Sequence, residues 1–339
     1  MKIIKLFLLC CCTLPLQAQQ RPYYTQYVLN NYIINPAIAG IENYTDVKLS
    51  HRHQWVGLED APVTTYLTIH APLKKDDYGR ETATGFQPVG ENPRGRAYWR
   101  EYQAPEAHSG VGLTILNDRT GPLNRFAAYG TYAYHLPLST VTTLSMGVSA
   151  GIASMSLQTD KLNFGNPAQV DPAVSTKQAG RIKPDISAGL WLYSRDYFAG
   201  IAIQQVVPAP LTFSDNIVQS SPGKLLPHTF ITAGYRFFLN DDISCLPSVM
   251  LRYIQPLPLG AEMNIKLQYL DLVWIGSSYR YKDGFAGMLG VNISNKVNMG
   301  YSYDVSTSGL KTVSKGTHEL QIGFLLGNRY NDRCPERLW

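Results

Sequence analysis

From residue 45 onward the chain alternates apolar and polar side chains with a period of two, in stretches of about ten residues. Ala261, Met263, Ile265, Leu267 and Tyr269 interleave with Glu262, Asn264, Lys266 and Gln268, so one face of this stretch is apolar and the other polar. The same pattern sets Val297, Met299, Tyr301 and Tyr303 against Lys296, Asn298, Gly300, Ser302 and Asp304. It recurs where His318, Leu320, Ile322, Phe324 and Leu326 interleave with Glu319, Gln321, Gly323 and Leu325. Marking every such stretch predicts fourteen strands, at about 45–56, 62–72, 108–117, 124–136, 142–157, 183–194, 197–207, 227–238, 243–253, 259–270, 271–282, 284–294, 296–305 and 317–327. Ten residues is the length a tilted strand needs to cross a bilayer, and closed bacterial barrels have even strand numbers. The expectation is an all-β fold, a transmembrane antiparallel outer-membrane β-barrel over residues 45–327. A soluble β-sandwich also alternates, but fourteen strands would require two domains and no linker divides this chain.

With both termini in the periplasm, the connections sort by length. Arg195-Asp196, Asn240 to Asp242, the junction at Asp271 and Asn295 fall on the periplasmic side as short turns, while 158–182, 208–226 and 306–316 fall outside as longer loops. The segment 73–107 breaks the rule, being long and on the periplasmic side. Its charges balance, and Tyr98, Trp99 and Tyr102 cluster in it, so it reads either as a docking surface or as an insertion without a role. Residues 19–44 do not alternate. Tyr24, Tyr27, Val28 and Tyr32 recur at near-helical spacing, and Asn35-Pro36 stops any helix there. A short helix or coil at the periplasmic mouth, or a plug folded into the barrel, is expected. The lumen of so wide a barrel must be wet, plugged or occupied.

Residues 1–18 have the pattern of a cleaved secretory signal: Lys2 and Lys5 precede an apolar stretch from Leu6 to Leu16, and Leu16-Gln17-Ala18 suits signal peptidase. Cys10, Cys11 and Cys12 raise the competing reading of a lipoprotein signal, but none follows the small residues that lipidation needs. No run of 18 apolar residues follows the first 20 positions, which excludes a helical membrane protein. Twenty-two tyrosines suit the aromatic girdles of a barrel. Loss of the signal lowers the net charge from +5 to +3, too little for a nucleic-acid binder of this size. The mature chain keeps Cys245 and Cys334, between which export permits a disulfide; two unpaired thiols are the alternative.

Catalytic patterns are weak. Gly147-Val148-Ser149-Ala150-Gly151 matches a nucleophile elbow, which works only at a sharp strand-to-helix turn. Here it lies inside an alternating strand, with Ser145, Gly147, Ser149 and Gly151 sharing a face where small residues make room inside the barrel. His51 and His53 share a strand face without an evident third metal ligand. Nothing nominates a triad, a phosphate loop or a dinucleotide fingerprint. Catalytic residues, metal and cofactors are all expected to be absent, and no enzyme activity is expected.

The stretch from Gln26 through Asn30, Asn35-Pro36-Ala37 and Gly40, followed by Arg52-His53-Gln54-Trp55-Val56-Gly57 and Ala61-Pro62-Val63-Thr64-Thr65, closely resembles the start of the PorP/SprF family. The likeness continues through Asn117 to Pro122, His228 to Tyr235, Pro247-Ser248-Val249, Trp274 to Arg280, Tyr301 to Asp304 and Gly316 to Glu319, and so spans the mature chain. Departures are the long 73–107 segment and a tail over 328–339, which leaves either Phe324 or Trp339 as the aromatic that assembly machinery would read. The resemblance implies an outer-membrane protein of the type IX secretion system without enzymatic activity. Such a protein helps to export or anchor large secreted proteins, such as the adhesins of gliding motility, through their C-terminal domains. Implied partners are the client, periplasmic secretion components, a peptidoglycan-binding protein and outer-membrane lipid, with no nucleic acid. The motif residues singled out are Gln26, Asn30, Asn35, Pro36, Gly40, Gln54, Trp55, Gly57 and Pro62; each has the alternative role of fixing the plug and first hairpin. Asn35-Pro36-Ala37 is also similar to the plug of FadL-like channels for hydrophobic or small solutes, which is the competing function.

Overall fold

The structure, a computed structural model, describes residues 24–73, 104–158, 181–207, 210–211, 223–224, 226–240, 242–255, 257–270, 272–294, 296–307 and 312–327. The secretory signal, nearly all of the 73–107 segment with its aromatic cluster, most of the 158–182 and 208–226 loops, Cys334 and the 328–339 tail lie outside the described residues.

Alternation produces strands where it was expected. They are β1 (Thr45–His53), β2 (Val63–Leu73), β3 (His108–Thr120), β4 (Leu123–Pro137), β5 (Thr142–Leu157), β6 (Arg181–Ser194), β7 (Tyr197–Gln204), β8 (His228–Tyr235), β9 (Ile243–Tyr253), β10 (Gly260–Tyr269), β11 (Val273–Arg280), β12 (Gly284–Ser294), β13 (Val297–Ser306) and β14 (Thr317–Leu326). Each pairs antiparallel with the next, β8 continuing through Phe237–Phe238 in the same register. β1 pairs with β14 from Thr45 opposite Leu326 to His53 opposite His318, which closes a 14-strand barrel with no free edge.

Several strand ends differ from the expected ones for backbone reasons. β1 stops at His53 instead of 56 because Trp55 and Gly57 take positive φ, 51° and 101°. β7 stops at Gln204 instead of 207, where Gln205 takes φ 58°. β3 runs on to Thr120, and Gly121 at φ 56° makes the turn into β4.

The barrel is inside out relative to a soluble protein. On β10, Met263 is 62% exposed on the outer face while its neighbour Glu262 is 3% exposed in the lumen. Leu289, Ile275, Val148 and Ile152 are exposed outside in the same way, as are many apolar side chains on the other strands. An apolar exterior over a polar interior is the arrangement a bilayer selects. No helix among the described residues is long and apolar enough to cross a membrane; the crossing is made by strands.

Two ends can be distinguished. At the terminal end the chain enters β1 and leaves β14, and the connections β4–β5, β6–β7, β8–β9, β10–β11 and β12–β13 are short. At the distal end lie the longer connections after β5, β7 and β13. Residues 24–44 occupy the lumen. In place of a helix they form three single turns of 3-10 geometry, Thr25–Val28, Asn31–Ile33 and Pro36–Ile38. All of Thr25 to Tyr44 is buried.

Candidate functional site: the filled lumen

The lumen segment descends from the distal to the terminal end, and inward side chains hold it at each level. Thr25, at the top, docks on a buried ionic cluster. Arg52 on β1 donates to Asp304 at 2.7 Å and Glu319 at 3.0 Å, and Arg280 on β11 donates to Glu262 and Asp304, both at 3.0 Å. Arg52 and Arg280 both donate to Thr25 Oγ1, which itself donates to Asp304 at 2.6 Å. The Glu319 carboxylate also accepts from the backbone N–H of Thr25 and Gln26. All five charged groups are buried, and each of the three carboxylates meets at least one of the two guanidinia.

Below this level the wall reads the backbone of the turns. Lys48 Nζ donates to Leu29 O at 2.6 Å and pairs with Asp46 at 2.9 Å. Asn30 donates to Thr68 at 2.8 Å, Tyr32 to Thr131 at 2.8 Å, and Gln204 Nε2 to both Ile33 O and Ile34 O. Asn264 donates to the Tyr27 hydroxyl.

The Asn35-Pro36-Ala37 step is the tightest contact. Asn35 Oδ1 accepts from the Ala37 N–H at 3.0 Å, capping the turn that Pro36 opens. Asn35 Nδ2 donates to Leu190 O at 2.9 Å and Ile201 O at 3.3 Å, carbonyls of register partners on β6 and β7. Space for this side chain exists because Gly189 and Gly200 face it; a Cβ at Gly189 would land on Asn35 Oδ1. A Cβ at Gly147 would meet the Ala37 backbone at 2.5 Å, one at Gly110 would overlap Ala39 O, and one at Gly112 would overlap the Tyr32 hydroxyl. Glycines on four strands thus form the mould into which the segment fits.

At the terminal end three histidines grip the exit. His135 Nε2 donates to Ala39 O at 2.8 Å, His108 Nε2 to Gly40 O at 3.1 Å, and His70 Nδ1 accepts from the Gly40 N–H at 3.3 Å. His108 and His135 stack with ring centroids 4.5 Å apart. Gly40 takes φ 79°, and a Cβ there would meet Gly110 Cα at 2.5 Å, so glycine is required on both counts.

The motif residues therefore separate into two places. Gln26, Asn30, Asn35, Pro36 and Gly40 lie in the lumen segment; Gln54, Trp55, Gly57 and Pro62 lie in the distal β1–β2 connection. There Gln54 N donates to Pro62 O at 2.9 Å, Trp55 N to Thr317 Oγ1 at 3.1 Å and Val56 N to Gly316 O at 2.8 Å. These bonds tie the first distal loop to the last. Ser149 faces the lumen from the middle of β5, not from a strand-to-helix turn, and His51 and His53 point outward. No group of three or more metal-ligating side chains occurs among the described residues. Arg52, Arg280, Asp304 and Glu319 sit in the stretches that carry the family likeness but are not among the motif residues singled out, and Glu262 lies outside those stretches. Their signal was positional: five charged residues at inward places of strands whose outer faces meet lipid.

A cavity of about 30 Å³ between the segment and β3–β7, near Tyr32, Thr131, Ser149 and Gln204, has room for about one water.

An inside-out 14-strand barrel with a polar lumen is an outer-membrane β-barrel. Residues 16–324 match the type IX secretion system membrane protein PorP/SprF, and the chain belongs to that family. It is a membrane component of the type IX secretion system. No curated protein matches it. Among solved structures it is similar to the CymD monoaromatic hydrocarbon channel, with 12% identity over 91% of this chain and 94% of that one and a TM-score of 0.51. It is also similar to the Ralstonia pickettii toluene transporter TbuX, with 13% identity, 86% and 92% coverage and a TM-score of 0.47. A Pseudomonas aeruginosa FadL homologue gives 8% identity, 91% and 95% coverage and a TM-score of 0.46. At such identities the likeness to CymD concerns the fold alone.

Proposed function

We propose that this barrel works by its rims and not through its lumen: it assists the export or surface anchoring of large secreted proteins, adhesins among them, as a plugged platform. The observation that carries this reading is the fit of residues 24–44 into the wall, with buried ion pairs at one end, Asn35 slotted between β6 and β7, and histidines at the other. A solute or polypeptide would have to break all three to pass.

In this reading the terminal end faces the periplasm, where short turns and the 73–107 segment meet secretion components, including a peptidoglycan-binding protein. The distal loops 158–182, 208–226 and 306–316 receive the client's C-terminal domain. Deleting 208–226 should release the client into the medium while the barrel still assembles; a client retained at the surface would overturn the assignment of that loop. Affinity purification of the tagged protein in mild detergent, followed by mass spectrometry, tests the reading as a whole. A large surface protein or periplasmic component in near-stoichiometric amount is expected. The channel reading draws on the fold shared with CymD. A partner-free barrel that mediates uptake of a hydrophobic solute would restore it.

A further inference from the structure

On the outer face of β14, β1, β2 and β3, chemistry changes at one level of the register. Val47 is opposite Ile69, which is opposite Leu113; one row up, Leu49, Leu67 and Ile115 align in the same way. Both rows point outward and are apolar, as a lipid-facing wall requires. The next row toward the distal end is His51, Thr65 and Asn117, and the next is His318, His53, Val63 and Arg119. His51 and Thr65 share a hydrogen bond of 2.9 Å. No outward position on these four strands is acidic: Asp46, Asp118 and Glu319 all belong to the inward rows. Three histidines and an arginine thus form a basic stripe directly above an apolar band.

The stripe borders a groove of about 370 Å³ lined by His53, Thr65, Asn117 and Arg119 and roofed by Leu58 and Asp60 of the β1–β2 connection. The roof is held in place. Gly121 N donates to Asp60 O at 3.0 Å, Asp60 takes φ 54°, and the far side of the connection is tied to Gly316 and Thr317. Among the described residues the Arg119, His53 and Asn117 side chains have no hydrogen-bond or ion-pair partner. An arginine on a lipid-facing wall is costly at the bilayer midplane and nearly neutral at the interface, where an anionic oxygen can meet it.

From this juxtaposition we propose a lipid site: the groove takes the phosphate of a lipid in the leaflet at the distal end, the outer leaflet under the orientation given above. Arg119 offers the phosphate a two-pronged donor, His53 and Asn117 add further donors, and the acyl chains run down over the rows of Leu67 and Ile115. The occupant is lipid-borne and not free phosphate, because Thr65 and Asn117 of the lining are followed along their strands by the apolar row of Leu67 and Ile115. Asp60 is the one acid in the lining and opposes the phosphate from the roof.

Wild-type protein and the variants Arg119→Glu, Arg119→Lys and Asp60→Asn are purified from the native outer membrane in mild detergent, checked for heat-modifiable migration, and examined by native mass spectrometry. Wild type is expected to carry a phosphorylated lipid whose occupancy falls about tenfold in Arg119→Glu, recovers in Arg119→Lys and holds or rises in Asp60→Asn. Millimolar inorganic phosphate should leave the adduct in place. If Arg119→Glu does not assemble, Arg119→Gln gives the same reading without charge reversal. Equal lipid occupancy in wild type and charge-removed protein would overturn the proposal, as would displacement by inorganic phosphate, which would mark a free-anion site.

Discussion

Arg52 and Glu319 stand directly opposite each other on β1 and β14, the first and last strands, and their side chains meet inside the lumen at 3.0 Å. The seam that closes the barrel and the anchor that holds Thr25 are thus one structure, since both residues also bond Thr25. Closing the barrel without its internal segment would leave this cluster in an open lumen, short of the acceptors and donors that Thr25 supplies. Barrel closure and docking of the segment are therefore coupled.

From that coupling follows an asymmetry between the two partners. Arg52 serves two carboxylates, Asp304 and Glu319; Arg52→Leu leaves Glu319 buried without a guanidinium and Asp304 with Arg280 alone, and should cost about 3–5 kcal/mol. Glu319→Gln removes one negative charge and keeps an oxygen for the Thr25 and Gln26 N–H groups, and should cost about 1–2 kcal/mol. Urea unfolding followed by heat-modifiable mobility gives the order. Equal losses would show that charge compensation does not govern this cluster.

The glycine mould makes a second contrast. Gly147→Val puts carbon into the Ala37 backbone and should destabilise by about 1–3 kcal/mol or eject the segment. Gly287 on β12 is exposed and has nothing within 4 Å of a Cβ, so Gly287→Val should stay within about 0.5 kcal/mol of wild type. Limited proteolysis of the N-terminal segment in folded barrels separates the two variants, and equal resistance would refute the mould.

The strands were legible in the sequence because a bilayer outside and a polar lumen inside impose period-two alternation, as at Met263 and Glu262. Room for something inside β5 was legible too, from Ser145, Gly147 and Ser149 on one face. The three 3-10 turns were not. Tyr24, Tyr27, Val28 and Tyr32 have helical spacing, but the groups that receive this segment, such as Glu319, Gln204 and His135, lie 96 to 294 residues from the positions they bind. The partners of Arg52 were hidden for the same reason: Asp304 and Glu319 become its neighbours only when β1 meets β14.

Asn35 carries two different bonds through two different atoms, and that allows them to be separated. Asn35→Ala loses the cap on Ala37 and both donations to Leu190 O and Ile201 O, at about 2 kcal/mol. Asn35→Asp retains the capping oxygen but turns a second oxygen toward two carbonyls. If the β6–β7 slot matters more than the cap, Asp should be worse than Ala in the same unfolding assay. Asp better than Ala would assign the residue's effect to capping alone.

The last prediction concerns what passes through. Ion conduction needs a continuous file of water, whereas the cavity between the segment and β3–β7 accommodates about one molecule. A fluctuation wide enough to open a path must also detach the segment from groups that are buried when it leaves, including Arg52, Lys48 and Gln204, and each broken contact exposes a charge or an amide without its partner. These costs add along the segment because it is held at the top, middle and bottom of the lumen. Wild-type protein in a planar bilayer should therefore be electrically silent, while a variant lacking residues 25–38 that still assembles should conduct. Reproducible opening of the wild type by voltage alone would mean that the segment is a gate, and the function would then have to be sought in the lumen after all.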